Sequence, residues 1–276
     1  MNGSVAQIVA LTCFGNAALA GWEIGEFFPA NSTAKFCEAI TFARRPSFPA
    51  GLFGDRVVAE TPEAWFQWLR REGAQGLYLS WAPGRGELGG LSDRKSAGLV
   101  GGGGKWQMTA VYPQHAGEPW LPIWEVGKVE APEKRIWRVR YRVFKSERAA
   151  APPQSNLPQL KQTLAESLSA IKAFAAEQGN IYFSEVFGQA LAALEGKGES
   201  FQGYHKDLAP SDFLPASVIA LLDAAQIAWV FGGMGSWNDL TFEGADQERY
   251  ETLSEQLFQA VISAIVGGAN SSFPAA

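Results

Sequence analysis

Apolar and polar positions alternate along much of the first half of this chain, then give way to a repeat of three to four residues in the second. Alternation with period two puts successive side chains on opposite faces of an extended strand, whereas the longer repeat lines up one face of a helix. The first half therefore predicts strands over 6–11, 36–42, 56–59, 76–81, 105–112, 121–127 and 135–144. Turn signals separate them: Pro46 and Pro49, the run Pro83-Gly84-Arg85-Gly86, Gly89-Gly90, and four glycines at 101–104. One helix interrupts the series. Thr61 suits an N-cap and Pro62 the first helical position; Trp65, Trp68 and Leu69 share a face, and Gly73 ends the element.

From residue 156 onward the repeat is helical. Leu157, Leu160, Leu164, Leu168, Ile171 and Phe174 form one amphipathic stripe, with Pro158 in the first turn. A second helix is expected over 181–194. A third is expected from a Ser211 N-cap through Val218, Leu221, Leu222 and Ala225. The last carries Tyr250, Leu253, Leu257, Val261 and Ile265 and should stop at Gly267-Gly268. Strands followed by helices define an α+β fold: a strand-rich region over 1–148 with a mostly antiparallel sheet, a linker over 149–155 marked by Pro152 and Pro153, and a region of about four helices over 156–276. The two regions are expected to pack against each other as one unit.

The apolar start of the chain, from Val5 to Phe14, has some features of a secretory leader, with small residues at Ala18 and Ala20. No Lys or Arg precedes it, and Gln7, Thr12 and Asn16 interrupt it, so a strand leading into the fold is the reading adopted. No stretch has the ~20 apolar residues needed to span a bilayer. The two cysteines, Cys13 and Cys37, make no disulfide framework and are expected to stay reduced, in keeping with a cytoplasmic protein.

Charge changes the picture more than composition does. Residues 1–148 hold 18 Lys and Arg against 14 Asp and Glu, or +4; residues 149–276 hold 5 against 14, or −9. Such a split fits two halves that attract each other, or a protein partner engaged by the acidic half. Nucleic acid is disfavoured because the whole chain is acidic, at −5.

Candidate chemistry is sparse. The run from Gly101 to Lys105 invites a phosphate-loop reading, but Leu99 stands where the first glycine belongs and Trp106 where Ser or Thr should follow the lysine. Arg138, Arg140 and Arg142 alternate with Val139, Tyr141 and Val143, so three guanidiniums share a strand face roughly 6–7 Å apart. With Lys105 they form the candidate site for a small anionic ligand. The histidines, His115 and His205, are isolated; no metal-ligand spacing exists, no cofactor is expected, and a Cys–His nucleophile from these residues has no supporting motif. Glu23 and Glu26 read as surface acids. The segment from Val230 to Asp239 is the most distinctive. Gly232 or Gly233 is expected to cap the preceding helix, Ser236 and Asp239 resemble a capping box, and Trp237, Asn238 and Asp239 are candidates to face a ligand or partner.

The segments 31–38, 101–106 and 231–239 resemble stretches of a bacterial protein family with no assigned activity. The resemblance implies a bacterial cytoplasmic protein and transfers no catalytic residue; the sequons at Asn2, Asn31 and Asn270 would then carry no glycan. The function expected from the sequence is a binding or protein-interaction protein without catalysis. The alternative is an enzyme acting on a small anionic substrate through Lys105 and the arginine stripe.

Overall fold

A computed structural model describes residues 1–45, 54–84, 90–99, 102–113, 116–143, 155–197 and 204–274. His115, Gly101, Phe144, the turn residues Pro46, Pro49, Arg85, Gly86 and Gly89, and the linker as far as 154 lie outside the described residues. The elements run α1 (Gly3–Leu19), β1 (Cys37–Arg44), β2 (Arg56–Ala59), α2 (Pro62–Arg71), β3 (Gly76–Ala82), α3 (Asp93–Ser96), β4 (Lys105–Val111), β5 (Glu118–Val126), β6 (Trp137–Val143), α4 (Leu157–Glu177), α5 (Ile181–Leu194), α6 (Ala216–Ile227) and α7 (Gly244–Asn270). The fold is α+β, with one six-stranded sheet in the order β2-β1-β6-β5-β4-β3. All neighbours are antiparallel except β1 and β6, which run parallel.

The strand expected over 6–11 is instead the middle of α1. Every residue from Val5 to Ala17 is buried, so the element is apolar all round. Such a run has no face, and period cannot separate helix from strand. Asn2 starts the helix by accepting the Val5 N–H on its side chain at 2.9 Å. The three polar residues that break the run each satisfy buried groups. Gln7 donates to the Thr33 carbonyl and accepts from the Tyr141 hydroxyl, and Thr12 donates to the Ile8 carbonyl.

Asn16 has the largest structural role of the three. β3 is an edge strand, and the outward-facing backbone groups of alternate residues there need partners. Asn16 accepts the Leu77 N–H at 2.6 Å and donates to the Leu77 carbonyl at 2.8 Å. Two residues along, Asn270 at the end of α7 treats Leu79 the same way, at 2.6 and 2.9 Å. Two side-chain amides thus stand in for a seventh strand.

On the helix-bearing face, Trp65 of α2 stacks on Phe42 of β1 with ring centroids 4.2 Å apart and meets Trp120 of β5 edge-on. Thr61 caps α2 as its sequence predicts. In the second half Trp237 is fully buried and touches Phe174 of α4, Phe183 and Phe187 of α5, and Tyr250 of α7. One indole therefore joins three helices.

Two helix boundaries differ from expectation. α6 begins at Ala216 with Pro215 as its cap, because Asp212 sits at φ +60° and the chain turns before the helix can start. α7 runs two residues past Gly267-Gly268, which serve packing and not termination. A Cβ on Gly267 would lie 2.2 Å from Leu160, and one on Gly268 2.8 Å from Leu222.

The halves also meet through charge. Arg94 in the short helix α3 is 1% exposed, ion-pairs with Glu251 and lies 3.7 Å from Glu255, both on α7. Lys95 reaches Glu251 at 3.0 Å. Cations of the first half thus meet carboxylates of the second. Among the described residues no helix is long and apolar enough to cross a membrane.

Candidate functional site

The residues singled out in the sequence fall in separate places. Arg138 forms a two-point ion pair with Glu38 of β1 at 2.7 and 2.9 Å, and Arg142 pairs with Asp55 at 2.7 Å. Arg140 is exposed between them on the same face. Lys105 starts β4, two strands away, with β5 intervening. None of the four main clefts among the described residues is lined by Lys105, Arg138, Arg140 or Arg142.

The glycine run packs against its neighbours. Gly103 and Gly104 both have positive φ; the Gly103 carbonyl accepts from the Trp81 indole at 2.7 Å, and a Cβ on Gly104 would strike that ring at 2.2 Å. A Cβ on Gly102 would meet the Ser96 carbonyl at 1.9 Å. The second glycine cluster behaves alike. α6 ends at Ile227, so Gly232 and Gly233 are not its cap; Gly232 instead crosses Gly98, where an added Cβ would lie 2.1 Å from backbone. Asn238 is held on both sides by Arg94, accepting from its guanidinium at 2.6 Å and donating to its carbonyl at 3.0 Å. Trp237 donates to Ser254 and accepts, through its carbonyl, from the Tyr250 hydroxyl. Asp239 accepts the Ser236 N–H at 3.0 Å, as in a capping box.

The structure assembles a site elsewhere, between the start of α1 and three loops. A cleft of about 360 Å³ is lined by Asn2, Ser4, Ser32, Thr33, Phe36, Cys37, Gly98, Leu99, Trp124, Trp137, Tyr204 and His205, with Met1 and Gly3. Its volume falls in the range of small-molecule sites. Aromatic side chains form much of the wall: Trp124 of β5 and Trp137 of β6 meet edge-on at 5.8 Å, and Tyr204 lies edge-on to His205 at 4.9 Å. Phe36, Leu99 and Tyr204 are 37%, 51% and 69% exposed, an apolar rim open to solvent.

Each wall is pinned. Asn2, besides capping α1, donates to the Ala97 carbonyl at 2.8 Å and so holds the Gly98-Leu99 turn. Asn31 donates to the Asp207 carbonyl at 2.7 Å while its side-chain oxygen accepts from the Thr33 N–H and hydroxyl. Gln226 of α6 exchanges two hydrogen bonds with the backbone of His205, both 3.0 Å.

Ser32, His205 and Asp207 come together here, yet not as a nucleophilic triad. In such a triad the imidazole stands between hydroxyl and carboxylate. Here Ser32 is the middle member: its hydroxyl donates to Asp207, its N–H donates to the other Asp207 oxygen at 2.7 Å, and its Oγ lies 3.0 Å from His205 Nδ1. A hydroxyl has one proton, so Nδ1 must carry the hydrogen of the imidazole and donate it to Oγ. The ring cannot then act as base toward Ser32. Burial lowers the His205 pKa to about 4, so the ring is neutral near pH 7 and its Nε2 keeps a lone pair.

Cys37 shares the cleft with His205, but burial raises its thiol to about 11. A thiolate–imidazolium pair requires shifts of the opposite sign in both partners. Cys13 is raised to about 12 by the same cause, and both thiols are free. Among the described residues no cluster of His, Cys, Asp or Glu is arranged to hold a metal ion.

None of this cleft was visible in the sequence as a site. The run Asn31-Ser32-Thr33 stood out only within the resemblance over 31–38 and as an idle sequon, and His205 as an isolated histidine whose pairing with Cys37 had no supporting motif. The only signal was the short polar run beside Phe36-Cys37, which loop chemistry alone does not single out. No protein-family model, curated protein or solved structure matches the chain.

Proposed function

We propose that this is a binding protein whose cleft takes one small molecule with a flat apolar body and a hydrogen-bond donor. The observation that carries the reading is the juxtaposition of Phe36, Trp124, Trp137 and Tyr204 with a neutral, pinned His205 in one cleft of about 360 Å³. Aromatic walls supply sequence-tolerant stacking and apolar burial, while the Nε2 lone pair of His205 fixes orientation by accepting one hydrogen bond. The polar groups that resemble catalytic residues favour binding over turnover. The Ser32 hydroxyl donates its hydrogen bond to Asp207, and the thiol of Cys37 stays protonated at neutral pH.

Titration with the neutral fluorophore N-phenyl-1-naphthylamine tests the reading. Its emission should rise on binding, and Trp137→Ala should weaken the affinity about 10-fold through lost stacking and burial. Equal binding by the wild type and Trp137→Ala, or no binding by either, refutes it.

A further inference from the structure

A second cleft, of about 560 Å³, lies at the β2 edge of the sheet, and it is basic. It is lined by Arg44 and Arg45 at the end of β1, Arg56, Val57 and Val58 of β2, Trp68 and Arg71 of α2, and Glu72. Among the described residues, four arginines from three elements therefore line one concavity, with a single carboxylate beside them.

The fold accounts for only some of them. Arg44 is fixed: it pairs with the buried Glu118 at 2.5 Å, and its guanidinium lies 5.5 Å from the centre of the Trp68 ring. Among the described residues Arg45, Arg56 and Arg71 have no carboxylate within ion-pair distance. Arg56 stands directly opposite Arg44 in the β1–β2 ladder. Like charges in that position are destabilising. A charge on an edge strand discourages pairing with other chains, and a cation in the last turn of α2 favours the helix dipole. Those two effects explain Arg56 and Arg71 singly. They do not explain why both point with Arg45 into the same concavity.

We propose that this basic cleft binds a small phosphate-bearing anion. The three unpaired guanidiniums supply forked N–H donors suited to phosphate oxygens. Arg44, held by Glu118 and Trp68, gives the site a fixed wall. The stretch is distinct from the Arg138–Arg142 stripe, two of whose arginines already hold carboxylates, and from the aromatic cleft, so the proposal stands or falls independently of the function proposed above.

Isothermal titration of the full chain with inorganic pyrophosphate in low-salt buffer tests it. Saturable one-to-one binding is expected. Arg56→Gln and Arg71→Gln should each weaken it about 10-fold, the low end for a charged hydrogen-bonding partner at an exposed site. Arg70→Gln, one residue away and outside the cleft, should leave it unchanged, while Glu72→Gln should tighten it. Thermal unfolding of each variant separates lost binding from lost structure; these side chains are exposed, so the melting temperature should hold. The proposal is overturned if pyrophosphate does not bind, or if Arg70→Gln weakens binding as much as Arg56→Gln, which is the response of non-specific charge attraction. Stronger binding by Glu72→Gln without loss in Arg56→Gln overturns it as well.

Discussion

Removing the amide of Asn16 should unfasten the β3 edge of the sheet. In Asn16→Ala, Leu77 loses the acceptor for its N–H and the donor to its carbonyl, and Leu77 itself is completely buried. The variant also loses the bond from Asn16 to Ser272 at 2.8 Å. A buried backbone group left without a partner costs ~1–3 kcal/mol, and two such groups are created. Partial entry of water reduces the sum, so a loss of about 3 kcal/mol is expected, a large share of the ~5–15 kcal/mol that holds a typical domain together. Asn270→Ala should cost a similar amount at Leu79, since the geometry there is nearly the same. Urea unfolding followed by tryptophan fluorescence measures both, with the shift in midpoint at constant slope giving the free energy. Hydrogen exchange of the peptide over β3 gives an independent readout, because the Leu77 and Leu79 amides should exchange faster in the respective variants. The double variant is the most informative. If each amide holds only its own residue, the two losses add to within ~0.5 kcal/mol; if the edge releases as one piece, the second loss is much smaller than the first. A loss under ~1 kcal/mol for each single variant would refute the idea that these amides replace a strand.

Arg94→Met should destabilise the fold by about 1–3 kcal/mol, because it leaves the Asn238 side-chain oxygen without its donor, while the half-exposed Glu251 keeps Lys95; the same urea assay reads it, and a loss below ~1 kcal/mol would show that packing alone docks α3 on α7. Stability should also depend on pH through His205. Its folded pKa of about 4 lies below the usual 6.5, so between those values the unfolded chain takes up a proton that the folded chain refuses, and stability falls as pH drops through this window. The effect is about 2 kcal/mol once solvent at the cleft is allowed for. Comparing wild type with His205→Asn at pH 7 and pH 4.5 isolates it from the carboxylates common to both. An identical pH response in the two proteins would rule out the histidine as the source.

The sequence alone determined the α+β class, six of the strands and the last four helices, because period and turn chemistry are local properties. Thr61, Pro62 and the Leu157–Phe174 stripe act as their positions predict. It misassigned α1 because a helix buried on all sides has no polar face, and Val, Ile and Thr suit a strand as well as a buried helix. Gly267-Gly268 and Gly232-Gly233 looked like helix ends, since glycine's lack of a side chain serves a left-handed turn and a close backbone crossing equally well. Only tertiary contact distinguishes the two.

The candidate sites were less legible still. Arg138 and Arg142 stood out by their spacing, but spacing says nothing about Glu38 and Asp55 on neighbouring strands. The aromatic cleft joins residues from 2 to 205, and the basic one gathers Arg45, Arg56 and Arg71 from two strands and a helix. Convergence of that kind depends on the parallel β1–β6 pairing and on where α2 lands, which are set by the packing of Phe42, Trp65 and Trp120 and by no motif. Local pattern fixes which elements form. The burial of side chains distant in sequence decides which residues meet.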